Sequence, residues 1–275
     1  MGQPRFLPEV AEAEAVGEVS RLYEEIRRTL GIPFVGLIYR NLAVEPGRLA
    51  SAWRRLGPFF THPATSRAAA DLHWEGAHTP PMPPAGELTR LGLNERFFDR
   101  AGATLEAYDR ANRLNLLGLT ALLYPLSGDL APDATPGTAA AVVTGPRDEL
   151  LPLLELEALP AADRAMLLKM SQALLPAEEP VLVPSLLRHF ALPGLLDSLW
   201  PALRPAVAGG FVAGAAEDLR HQAAAASIAP RRSMTPIDDP VTRRTAERFL
   251  TATSTMVVTG HLLDTILKTC RRGAA

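Results

Sequence analysis

Apolar positions recur every three or four residues along most of this chain, the period of helices that bury one face. Between 15 and 30, Val16, Val19, Leu22, Tyr23, Ile26 and Leu30 form one stripe, and Gly31 and Pro33 follow as a stop signal. Pro46 and Gly47 read as the entry to another helix, with Leu49, Trp53 and Leu56 on one face. Residues 95–123 predict one long helix or two in line, its apolar side marked by Phe97, Leu105, Tyr108, Leu116, Leu119 and Leu122. Further helices are predicted at 64–75, 161–175, 184–191, 210–226 and 240–269. No segment alternates with period two, and two-residue hairpin signals such as Asn-Gly are absent. The fold class is therefore all-α.

Two stretches interrupt the helical pattern. GAHTPPMPPAG (76–86) cannot be helical through its prolines, and a small, Pro/Gly-rich stretch begins at 127, near the middle of the chain. The second sets the expected organisation: a helical repeat over 1–126, a linker over 127–147 and a second helical repeat over 148–275.

The halves look related. Residues 33–58 align without a gap on 180–205, and 8 of 26 positions are identical. The shared residues include Pro33/Pro180, Pro46/Pro193, Gly47/Gly194, Trp53/Trp200 and Leu56/Leu203. A chance recurrence of Pro-Gly helix entries is the competing explanation. A duplicated helical unit presents each half's apolar face to the other, as in a symmetric dimer, giving an intrachain pseudo-dimer with a pocket expected between the halves.

Composition narrows the function. The 275 residues are 47% hydrophobic and 21% charged, a globular balance long enough for a sizeable core. A net charge of −2 offers no electrostatic reason to bind nucleic acid or anionic lipid. The 25 prolines fall mostly between predicted helices and read as breakers and caps. Cys270 is the single cysteine, which excludes an intrachain disulfide and fits a reducing compartment. The first residues carry no basic region followed by an apolar run, and no stretch is apolar enough to span a bilayer, so a cytoplasmic location is expected.

Chemistry-bearing motifs are scarce. The chain has no HExxH, CxxC, GxGxxG, P-loop or GxSxG, so no metal and no cofactor is expected. His73 and His78 read as surface residues, and His261 with Asp264 as a local helix pair. Asn112 stands in the middle of a long predicted helix, where asparagine has poor propensity; it is either exposed or an inward amide placed for a ligand. Trp53 and Trp200 sit in apolar stripes and read as core anchors.

One stretch is more specific. Tyr23-Glu24-Glu25-Ile26-Arg27-Arg28-Thr29-Leu30, then Ile32-Pro33-Phe34-Val35, Pro46-Gly47 and Ala52-Trp53-Arg54-Arg55 resemble the corresponding elements of the group I 2-haloacid dehalogenases. The likeness continues more weakly through 117–123, 148–156 and the C-terminal region. It implies an all-helical, AhpD-like pseudo-dimer of two repeats. It also implies hydrolysis of 2-haloalkanoic acids: an aspartate acts as general base on a water that displaces halide directly, with inversion and without a covalent ester intermediate.

Carried over residue by residue, the family's pocket tryptophan falls on Phe34, which is still aromatic, and its pocket phenylalanine on Leu37. Its asparagine falls on Asn112, and a tyrosine from the last helix falls on Thr253. The catalytic segment falls on Leu182-Val183-Pro184-Ser185, which adds Pro184 to the substrate-binding set and puts Ser185 at the aspartate position. A serine hydroxyl stays neutral at physiological pH and needs a base of its own. Glu179, with Glu178 beside it, is the nearest substitute base if the preceding loop folds inward.

Three functions stay open: a dehalogenase with a rearranged base, a divergent member that binds a small carboxylic acid or other small ligand or performs different chemistry, and an interaction protein with a vestigial pocket. The resemblance also carries the expectation of a homodimer.

Overall fold

The computed structural model describes residues 5–83, 87–126, 149–226, 228–232 and 234–274; the predicted central linker lies outside the described residues. The architecture is all-α. In chain order the helices are α1 (Gly17–Leu30), α2 (Leu37–Leu42), α3 (Arg48–Thr61), α4 (Pro63–Asp71), α5 (Glu87–Arg90), α6 (Glu95–Leu123), α7 (Ala161–Leu174), α8 (Ser185–His189), α9 (Leu195–Ala208), α10 (Phe211–Ala225), α11 (Ala229–Arg232) and α12 (Pro240–Ala274). Among the described residues the only β-pairing is an isolated bridge between Phe6 and Val181.

The boundaries follow local chemistry. Gly31 ends α1 in the left-handed region at φ 66°, its N–H bonded to Arg27 O, where a side chain would be strained. The Asn94 carboxamide caps α6 by accepting from Phe97 N at 3.1 Å. The long predicted helix is a single one. Prolines do not only break helices here: Pro58 lies inside α3, and Pro201 and Pro205 lie inside α9. Burial of Leu195, Leu196, Leu199 and Leu203 holds α9 together despite the missing backbone donors.

The two longest helices, α6 and α12, share the most extensive packing face and form the spine on which the others lie. Close approach is built into α6 at Gly118. A β-carbon there would stand 2.8 Å from Phe60 Cε1 and 3.2 Å from Leu56 Cδ2 of α3. Gly118→Ala is thus expected to destabilise by about 1–3 kcal/mol through overpacking. Gly102, on the same helix, has nothing within 4 Å of that position. Gly102→Ala is expected to stabilise by about 0.5–1 kcal/mol. Urea denaturation of the two variants checks the opposite signs.

An extended N-terminal strap crosses the helices. Leu7 N donates to Val181 O at 2.9 Å and Val10 N to Arg40 O at 3.0 Å, while Asn41 Nδ2 donates to Pro8 O at 2.7 Å. The strap therefore ties the segment around α2 to the segment that leads into α8.

Candidate functional site

On α6, Tyr108, Ala111, Asn112 and Asn115 recur at three- and four-residue spacing and form one stripe. This stripe faces Phe249, Ala252, Thr253 and Met256, a matching stripe of α12. Phe34 and Leu37 at the start of α2 and Leu182, Pro184 and Ser185 at the start of α8 close the space between them. The result is a cavity of about 50 Å³. At about 10–15 Å³ per water it holds a few waters or a very small organic molecule.

The lining is mostly apolar with a few polar groups. Phe34 stacks on Tyr108 with ring centroids 4.3 Å apart. Asn115 is fixed, its Oδ1 accepting from the Tyr39 hydroxyl at 2.6 Å. The Asn112 Nδ2 is buried and has no hydrogen-bond partner, a donor left for a ligand oxygen. Among the described residues that line the cavity there is no carboxylate and no charged side chain.

Behind the cavity lie two sets of hydrogen bonds, one at Ser185 and one running from Tyr108 to Leu151. Arg40 Nη2 donates to Ser185 Oγ at 2.7 Å. His189 Nδ1 lies 2.7 Å from Leu151 O and its Nε2 3.0 Å from the Tyr108 hydroxyl. A carbonyl only accepts, so Nδ1 carries the proton. Burial depresses the His189 pKa to about 4, so the ring is neutral near pH 7 and its Nε2 accepts from Tyr108. Burial also raises the Tyr108 pKa, keeping the phenol protonated. Arg40 thus holds the serine oxygen, while the hydrogen bonds of Tyr108 run to His189 and on to Leu151.

A buried charge cluster anchors Arg40. Glu9 of the strap meets Arg40 Nε at 3.0 Å and Arg188 Nη1 at 2.7 Å. The arginine side chains are 4% and 2% exposed, so Glu9 neutralises charge that water cannot reach. Arg188 also donates to Leu154 O at 2.9 Å and pairs with the exposed Glu155 at 2.8 Å.

Phe34, Leu37, Asn112, Pro184, Ser185 and Thr253 all line the one cavity. Glu179 does not join them. It is exposed and lines a separate groove, because the buried run Leu182-Val183-Pro184 leaves the two glutamates outside on the loop. Glu178 instead faces Arg248 at 3.2 Å. The Trp53 and Trp200 side chains are buried core. His78 is half-buried and stacks on Phe211 at 5.0 Å, unlike the surface residue expected. Asp264 pairs with Lys268 at 2.7 Å rather than with His261. Among the described residues no group of His, Cys, Asp and Glu is arranged to hold a metal.

Sequence reasoning missed Tyr108 as a polar group, Asn115, His189, and the trio Glu9, Arg40 and Arg188. Asn115 had a signal, since it lies one turn from Asn112 on the same face.

No family model matches the chain. The fold is that of the D-2-haloacid dehalogenases. One mutant structure of such an enzyme covers 98% of this chain and 96% of its own, with a TM-score of 0.71 at 19% identity. A complex of a D-2-haloacid dehalogenase with L-LA covers 100% of both chains, with a TM-score of 0.71 at 21% identity. In sequence, a configuration-inverting 2-haloacid dehalogenase of Alcaligenes xylosoxydans xylosoxydans is 32% identical over 124 residues, 44% of this chain and 42% of the relative. An (R)-2-haloacid dehalogenase of Pseudomonas putida is 30% identical over 118 residues, 41% of this chain and 39% of the relative. The matched segment thus spans less than half the length of these curated relatives. In sequence over part of its length and in fold over nearly all of it, the chain is similar to the 2-haloacid dehalogenases. No helix among the described residues is long and apolar enough to cross a membrane.

Proposed function

We propose that this chain binds a small carboxylic acid of the kind its relatives act on, in the cavity between α6 and α12, without displacing halide. The observation that carries this reading is the cavity lining: an unpartnered amide donor at Asn112, hydroxyls at Ser185 and Thr253, and no carboxylate among the described residues. Direct displacement needs a base to take a proton from the attacking water. Ser185 cannot serve, since its hydroxyl is neutral and held by Arg40. His189 cannot serve either, because its Nε2 is taken up by Tyr108.

The reading includes two related halves, 1–126 and 148–275, joined by 127–147. In support, α3 and α9 each have 14 residues and bury Trp53 and Trp200. Both are entered through a left-handed glycine, Gly47 and Gly194.

Halide release from D- and L-2-chloropropionate is the test. The wild-type protein is expected to release no chloride above the uncatalysed background, and Ser185→Asp, which supplies a carboxylate, to release some from at least one enantiomer. Chloride turnover by the wild type would overturn the reading.

A further inference from the structure

The helix α12 carries two neighbouring stripes that meet at Ala252. One stripe, with Phe249, Thr253 and Met256, faces the cavity. The other, with Arg244, Arg248 and Thr251, faces an open groove of about 470 Å³ on the protein surface. Across from α12, Leu182 also lines both spaces. Both shared residues are buried, Leu182 at 6% and Ala252 at 5% exposure. The wall between cavity and groove is therefore one side chain thick. Ala252 contributes only a methyl group to it, so Leu182 supplies the bulk.

Beyond that wall the groove is lined by Leu175 and Pro176 together with the polar side chains of Glu178, Glu247, Thr251 and the two arginines. Of the two arginines on the groove, Arg248 is engaged: its Nε faces Glu178 at 3.2 Å, and it donates to Pro180 O. The carboxylates of Glu178 and Glu247 line the same groove and oppose a second anion. The surface next to Leu182 thus suits an alkyl chain better than a second carboxylate. Inside the cavity, the polar end of a ligand has the free Asn112 amide.

We propose that cavity and groove are two parts of one site for unbranched monocarboxylic acids, and that Leu182 sets the chain length the site accepts. This rests on the binding reading above. The carboxylate lies inside, towards Asn112, and the alkyl chain points at Leu182. With leucine in place the site takes short acids and excludes longer ones. Shortened, the residue opens a path into the groove for the added methylenes.

Calorimetric titration of the full chain with sodium propionate and sodium hexanoate tests this. Wild type is expected to bind propionate and to bind hexanoate at least about tenfold more weakly, the scale on which a pocket discriminates methylenes. Leu182→Ala is expected to tighten hexanoate by about tenfold relative to propionate. Leu182→Val, a milder truncation that keeps the core filled, should move hexanoate the same way by less. Equal binding of both acids by wild type overturns the proposal. So does hexanoate that stays excluded from both variants while propionate still binds, an outcome that leaves the binding reading standing. Propionate binding to none of the three proteins would instead sink the binding reading and the length gate with it.

Discussion

Glu9→Ala is expected to lower the stability of the protein by about 3 kcal/mol, the low end of the range for removing one partner of a buried ion pair. The substitution strips the shared counter-charge from two arginines whose side chains are 4% and 2% exposed. Arg188 keeps Glu155, but that glutamate is 62% exposed and works through water. Arg40 keeps only its contact to Ser185 among the bonds given above. Glu155→Ala is the control, and as a solvated pair it should cost less than about 1 kcal/mol. Urea denaturation midpoints compare the two. If both variants lose the same small amount, the charge cluster is not the anchor described here.

Acidification should expose His189. Its pKa falls from an ordinary 6.5 to about 4 in the folded protein, because burial disfavours the charged ring. Between those values the unfolded chain binds a proton that the folded one refuses, so stability rises with pH. The contribution is complete above pH 6.5 and disappears as pH falls towards 4. A shift of this size corresponds to about 3 kcal/mol across the window. The variant His189→Gln keeps a donor for Leu151 and an acceptor for Tyr108 without a titrating ring. It should show a flatter stability curve between pH 6.5 and 4 than the wild type. Parallel curves for the two proteins would mean that His189 titrates normally.

The long helices were readable because their stripes repeat over several turns. The short α2, at six residues, is under two turns and leaves no periodic trace. It nonetheless brings Leu37, Ile38 and Arg40 to the site. Prolines misled in α9, where burial overrides the local preference. At the site, Phe34, Leu37, Asn112, Pro184, Ser185 and Thr253 were singled out through family resemblance, and they meet at one cavity. Glu179 was singled out only by nearness in sequence, and nearness does not turn a loop inward. Tyr108 was counted as part of an apolar stripe. Its ring does stack on Phe34, but its hydroxyl works with His189, 81 residues away. The Glu9–Arg188 pair spans 179 residues, a separation at which no sequence period can point to a partner.

That separation also orders events during synthesis. Residues of the strap leave the ribosome before Arg188 and Ser185, which follow roughly ten to forty seconds later at ordinary elongation rates. Until then Arg40 is not yet hydrogen-bonded to the serine, and the carboxylate of Glu9 has only one of its two cationic partners. The clasp made by the strap is thus among the last to close, and a newborn protein stalled before α8 would carry a loose strap open to proteases.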